Sequence, residues 1–144
     1  MDKFDQNPIV LIDDDKDDIE LATYAIRFLK YENEIITFDS SQNVVSGLID
    51  QGIDPFVIIC DVNLPGRNGI ELRKTLYENE GLRLKTIPFI FWSTSPTYAQ
   101  VFEAYENWSQ GIFEKPASHE ELIDLLDTIL TYWSKCGQPK KRLY

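Results

Sequence analysis

Ile58-Ile59-Cys60-Asp61-Val62-Asn63-Leu64-Pro65-Gly66 is the stretch whose reading decides the fold of this chain. The apolar run over residues 56–60 has the length and composition of a buried strand, and it stops at an acid. Pro65, Gly66 and Gly69 then turn the backbone sharply. Open α/β sheets bind ligands outside the carboxyl ends of their strands, so an acid in that position stands where chemistry gathers.

The same grammar repeats on either side. Ile9-Val10-Leu11-Ile12 is an uninterrupted aliphatic run, as expected of a parallel strand covered on both faces, and it ends in Asp13, Asp14 and Asp15. Helical spacing follows through Ile19, Ala22, Ile26 and Leu29. Asp15, Asp17 and Asp18 read as helix-start acids matched to the dipole, with Arg27 and Lys30 at the far end. Ile35-Ile36-Thr37-Phe38 is a second strand, and Asp39-Ser40-Ser41 offers N-caps for a helix through Val44, Val45, Leu48 and Ile49.

Beyond the Asp61 loop, Ile70, Leu72, Leu76 and Tyr77 predict a helix from about residue 68 to near Gly81. Pro88-Phe89-Ile90-Phe91-Trp92 is the fourth strand and runs into Ser93, Thr94 and Ser95. Thr94 and Ser95 are the expected caps of the next helix, with Pro96 in its first turn. Over residues 97–108, Tyr98, Val101, Phe102, Ala104, Tyr105 and Trp108 share an arc of about 160°. That arc predicts a mostly buried aromatic face, with Tyr98 or Tyr105 left on its rim. Gly111-Ile112-Phe113-Glu114 is a short fifth strand leading into Lys115-Pro116. Ser118 and Glu121 then form a capping-box pair ahead of a wide apolar stripe, Leu122, Leu125, Leu126, Ile129, Leu130 and Trp133. Strands alternating with helices predict a parallel sheet wound on both faces by right-handed crossovers.

Composition narrows the function. At 144 residues and 43% hydrophobic, the chain is a single globular domain by the size prior. A net charge of −10 opposes direct binding to a phosphate backbone and suits a cation site built from carboxylates. Cys60 falls inside an apolar strand as a core residue, and Cys136 near the end, so free thiols in a reducing compartment are expected. The polar start is unlike a signal peptide, and no apolar run approaches the ~20 residues of a membrane span. A soluble cytoplasmic protein, without membrane insertion, is the expectation. His119 has no second histidine or cysteine nearby and reads as a surface residue.

In a parallel sheet all strand C-termini share one edge. Asp13 and Asp14, Asp61, Ser93 and Thr94, and Lys115 therefore meet on one rim. Crowded carboxylates require a counter-charge, which a hard divalent cation such as Mg²⁺ supplies through oxygen ligands and retained waters. Lys115 adds a fixed positive charge and Ser93 a hydroxyl donor. Such a set suits a carboxylate nucleophile attacking phosphorus to form an acyl phosphate. No Gly-rich phosphate cradle is present, which argues against ATP as direct substrate.

Four elements in order, Ile-Asp-Asp-Asp at 12–15, Asp-Val-Asn-Leu-Pro-Gly-Arg-Asn-Gly at 61–69, Ser-Thr at 93–94 and Lys-Pro at 115–116, resemble a two-component response-regulator receiver domain. The likeness resembles the single-domain, chemotaxis-regulator type. It implies a flavodoxin-like doubly wound (βα)5 fold with strand order 2-1-3-4-5, spanning residues 9–134 between an extension (1–8) and a flexible basic tail (135–144). It further implies Asp61 as phosphoacceptor, with Ser93 and Lys115 reading the phosphoryl group. Asp13, Asp14, Asp61 and the carbonyl of Asn63 would hold Mg²⁺, with Mn²⁺ as an alternative. The implied partners are a histidine kinase or phosphotransfer protein and an output protein on the helix 4–strand 5–helix 5 face. The competing reading is a pseudo-receiver, a protein-binding module without phosphorylation. Turnover of external substrates is not expected, because Asn63 stands where related aspartyl phosphatases carry a general acid; only Mg²⁺-dependent self-phosphorylation and autodephosphorylation are. Two positions depart from the family: Ile112 where an aromatic is common, and Thr94 where Ala or Gly is. The chain stops shortly after the fifth helix, so output is expected through a partner.

Overall fold

The computed structural model describes residues 6–79 and 86–138. Strands β1 (Ile9–Ile12), β2 (Ile35–Phe38), β3 (Val57–Asp61), β4 (Phe89–Ser93) and β5 (Gly111–Glu114) form a parallel sheet in the order β2-β1-β3-β4-β5. The helices are α1 (Lys16–Phe28), α2 (Ser41–Val45), which runs on into a π-helical turn (Ser46–Asp50), α3 (Gly69–Asn79), α4 (Tyr98–Glu106) and α5 (His119–Lys135). The doubly wound class and strand order implied by the sequence are those of the structure. The expected end of α3 at Gly81, most of the N-terminal extension and residues 139–144 of the tail lie outside the described residues.

Side-chain alternation along the strands divides the core in two. Val10, Ile12, Ile58, Cys60, Phe89 and Phe91 point to one face, where Val44 and Leu48, Ile70, Leu72 and Leu76, and Ala104 cover them. Ile9, Leu11, Val57, Ile59, Ile90 and Trp92 point to the other, under Ala22, Ala25 and Ile26 of α1 and Leu122, Leu126, Ile129 and Leu130 of α5. Every residue of β1, β3 and β4 is buried, as their unbroken apolar runs require of parallel strands between helix layers. Each fully buried aliphatic or aromatic side chain contributes roughly 1.5–3 kcal/mol by its removal from water.

Local chemistry fixes the helix starts. Asp15 caps α1 by accepting from the Asp17 and Asp18 amides, Ser40 caps α2, and Ser118 caps α5 by accepting from Glu121 N. At α4 the cap is Thr97, in a capping box with Gln100, and not Thr94 or Ser95. Pro96 accordingly precedes the cap and lies outside the first turn. The aromatic face of α4 is a second correction. Only Ala104 is buried there; Tyr98 is 86% exposed, and Phe102 and Tyr105 are 58% exposed. The small Ala104 side brings this nine-residue helix onto the sheet, so the arc is buried at one flank alone. The other flank, carrying Tyr105, Tyr98 and Phe102, turns to solvent.

One arginine escapes any apolar pattern. Arg73 of α3 is buried, its guanidinium lying 5.1 Å from the Phe89 ring centre and 5.6 Å from that of Tyr77, and it donates to the Trp108 carbonyl at 3.2 Å. Trp108 in turn stacks on Tyr77 at 3.7 Å, tying α3 to the α4–β5 connection. Burial lowers the Arg73 pKa to about 10, which leaves it charged at neutral pH.

Candidate functional site

Strand register assembles the rim. Ile12 pairs with Cys60 and Asp61 with Trp92, so Asp13 follows β1 directly beside Asp61 at the end of β3. Ser93 pairs with Glu114, and Lys115 comes one residue later, its amide donating to the Ser93 carbonyl at 2.8 Å. The loop after Asp61 folds back across the strand end: Gly69 N donates to the Val62 carbonyl at 2.7 Å. A Cβ on Gly69 would collide with the Asp61 carbonyl oxygen and press on Cys60 Sγ and Phe91. Gly69→Ala is therefore expected to destabilise the fold by about 2 kcal/mol through overpacking, measurable by urea denaturation.

The side chains converge on Lys115. Its Nζ lies 2.8 Å from Asp18 Oδ2, 2.9 Å from Asp13 Oδ2 and 3.2 Å from Asp61 Oδ2. It also lies 5.7 Å from the centre of the Trp92 ring. Burial works against the ammonium charge, but close contact with Asp18 and Asp13 and the fields of Asp13 and Asp61 outweigh it. Lys115 is held above its ordinary range. Asp61 Oδ1 accepts from the Asn63 amide at 2.9 Å, and the Asn63 side chain donates to Ser93 Oγ at 3.4 Å. The rim residues expected from sequence, Asp13, Asp14, Asp61, Asn63, Ser93 and Lys115, thus share one neighbourhood. Thr94 is exposed. Ile112 packs against the core face that holds Ala104, and Phe113 against the opposite face, so Phe113 does not take over the aromatic position that Ile112 leaves vacant.

Carboxylate oxygens of Asp13, Asp14 and Asp61 all lie within 4.8 Å of one another. Ligands of one Mg²⁺ stand at most about 4.2 Å apart, twice its bond length, so modest side-chain rotation would close this set on an ion. The donor chemistry fits as well: three hard oxygens, and Asp13 Oδ2 buried with no hydrogen bond beyond its ion pair. Burial foremost raises the Asp13 pKa to about 6, against the lowering effects of the Asp15 amide and Lys115. An unfolded aspartate releases its proton near 3.9. Between those values the folded state binds the extra proton, so metal-free stability falls as pH rises from about 4 to about 6. Asp13→Asn, which cannot carry the buried charge, is accordingly expected to flatten this pH dependence. Thermal denaturation with EDTA checks both statements.

Asp18 is the participant that sequence reasoning missed. Its place was legible: it stands four and seven residues before Ala22 and Ala25, on the buried stripe of α1. Cys60, expected in the core, is fully buried, and both cysteines are free. His119 is exposed and lies 5.1 Å, ring to ring, from Tyr24. No helix among the described residues is long and apolar enough to cross a membrane.

A sheet wound in this order, with acids and a lysine on its carboxyl rim, defines a class, and the comparisons agree with it. The chain belongs to the response regulator receiver domain family, whose model matches residues 9–127. It is 26% identical over 130 residues to response regulator Rcp1 of Synechocystis sp., covering 87% of each protein. It is 30% identical over 79 residues to the probable methanogenesis regulatory protein FilR2 of Methanothrix harundinacea, 55% of this chain and 50% of that protein. Among solved structures, the phosphorylated cyanobacterial phytochrome response regulator RcpA superposes with TM-score 0.83 at 24% identity, over 93% of this chain and 99% of that one. The Mn²⁺-bound form of Rcp1 gives 0.79, also at 24% identity, over 92% and 99%.

Proposed function

We propose that this receiver accepts a phosphoryl group from a phosphohistidine onto Asp61 and passes the signal to a partner protein. The observation that carries the reading is the convergence on Asp61: a lysine ammonium at 3.2 Å, a backbone amide at 2.9 Å, and two further carboxylates suited to a divalent ion. The phosphorylated and Mn²⁺-bound forms of the related regulators support it.

A carboxylate oxygen of Asp61 attacks phosphorus, the P–N bond breaks, and the imidazole leaves with the bonding pair. Asn63 N–H and Lys115 fix the carboxylate, and Lys115 neutralises charge on a phosphoryl oxygen as it transfers. Ser93, whose Oγ accepts from the Asn63 side chain, donates its own hydroxyl proton to another oxygen. Asp13, Asp14, Asp61 and the Asn63 carbonyl would hold a Mg²⁺, which would supply further positive charge to the transferring group. Hydrolysis by an in-line water returns Asp61 to its carboxylate, and no external substrate is turned over. The donor is a histidine kinase or phosphotransfer protein. The output partner docks on the α4–β5–α5 face, where Tyr98, Phe102 and Tyr105 offer exposed aromatic area.

Incubation with acetyl phosphate tests this reading. A single phosphoryl adduct, stable to acid and labile to base, is expected with Mg²⁺ and absent with EDTA. An adduct that forms equally in EDTA, or none at all with Mg²⁺ demonstrably bound, contradicts it.

A further inference from the structure

Lys115 Nζ donates hydrogen bonds to Asp18 and Asp61 and forms an ion pair with Asp13 at 2.9 Å, so three carboxylates surround it before any phosphoryl group arrives. Asp13 and Asp61 belong to the cluster suited to a cation; Asp18 does not. Its contact is nonetheless the shortest, 2.8 Å against 2.9 and 3.2 Å, although its side chain is the most exposed of the three, at 32%. Asp18 reaches Lys115 from the first turn of α1, where its amide is anchored to Asp15 Oδ1 at 3.2 Å. The capped helix start therefore fixes the backbone from which this carboxylate reaches Lys115.

We propose that Asp18 is a positioning residue that holds Lys115 in the resting state and competes with the phosphoryl group for it. The inference rests on the phosphoacceptor reading of Asp61. A phosphoryl group adds roughly two negative charges and strong acceptor oxygens beside Lys115. Serving one of them draws Lys115 away from one of the carboxylates that now surround it. A bound cation would hold Asp13 and Asp61, which leaves Asp18 as the partner released. Rotation of Asp18 toward water costs little, because its side chain is already 32% exposed and lines a small cavity, about 100 Å³, with Leu21, Trp92, Pro116 and His119. The charge on Asp18 thus sets how readily the site takes a phosphoryl-like anion.

The test uses beryllofluoride with saturating Mg²⁺, followed by isothermal titration on wild type, Asp18→Asn, Asp18→Glu and Asp17→Asn. Loss of one charged hydrogen bond that competes for Lys115 predicts about fivefold tighter beryllofluoride binding in Asp18→Asn. Asp18→Glu keeps the charge and is expected to return toward wild type. Asp17→Asn removes an equal charge from the same helix turn, at an exposed position, and is expected to stay within about twofold, since exposed charges are screened. A second readout needs no phosphoryl mimic: the Lys115 ammonium protons, seen by ¹H–¹⁵N NMR, should exchange faster with water in Asp18→Asn. Unchanged or weaker beryllofluoride binding in Asp18→Asn, with the wild type binding normally, overturns the role of Asp18 alone. So does an equal gain in Asp17→Asn, which reduces the effect to net charge. Failure of the wild type itself to bind beryllofluoride overturns the phosphoacceptor reading, and the competition with it.

Discussion

Asp61→Asn is expected to lose phosphorylation to background while remaining folded. The amide of asparagine is too weak a nucleophile to attack phosphorus, so the change removes the acceptor and leaves its shape. Lys115 keeps Asp13 and Asp18 as partners, and the Asn63 amide keeps an oxygen acceptor. Stability in the absence of metal should therefore change by less than about 1 kcal/mol, the range of a substitution that leaves buried groups paired. Transfer of labelled phosphoryl from a phosphohistidine donor, beside a urea denaturation curve, checks both halves. Retained labelling with a native curve would mean that another residue accepts the group.

Lys115→Ala is expected to have the largest combined effect on stability and chemistry. The side chain is 12% exposed and is the cation shared by Asp13, Asp18 and Asp61. Removing one member of a buried charge set leaves the others uncompensated, at a cost of roughly 3–5 kcal/mol. The partial exposure of Asp18 and protonation of Asp13 place this case near the lower end, about 3 kcal/mol. Saturating Mg²⁺ should restore part of the loss, because an ion that binds only the folded state stabilises it, by about 2.7 kcal/mol at a hundred times its Kd. Urea titrations with Mg²⁺ and with EDTA make the comparison. A loss below about 1 kcal/mol in EDTA would reduce the cluster to a surface ion pair. Phosphorylation should also slow markedly, since the fixed positive charge at the transferring group is gone.

The sheet was legible because its strands are continuous apolar runs that end abruptly in polar residues. Residues 9–12, 35–38 and 111–114 are strands as the pattern predicts, and β3 and β4 differ only in shifting one residue toward their polar ends. That shift is informative: Asp61 and Ser93 are themselves the last strand residues, so the ladder fixes their backbone rather than leaving them to a loop. The rim residues were legible for the same reason, since parallel strands bring their ends to one edge.

Side-chain events across elements were harder to read. Periodicity places the aromatics of α4 on one arc but cannot say how much of that arc the neighbouring sheet edge covers. The bulk of Tyr105, Tyr98 and Phe102 stays in solvent because contact is made through Ala104. Asp18 has the spacing of the buried stripe of α1, yet its identity as a first-turn acid supplied a sufficient local reason for it. Its partner Lys115 is 97 residues away in sequence, directly after β5, and the fold brings the two together at the sheet rim. Arg73 is a buried charge held by aromatic rings and a backbone carbonyl, which no apolar count registers.

The central claim, that Asp61 carries the phosphoryl group, is tested most directly by locating that group chemically. Borohydride reduces an aspartyl phosphate to homoserine, and peptide mass spectrometry then reads the position. After treatment with acetyl phosphate and Mg²⁺, homoserine is expected at residue 61 and nowhere else. Homoserine at Asp13, Asp14 or another acid, with Asp61 intact, would contradict the account.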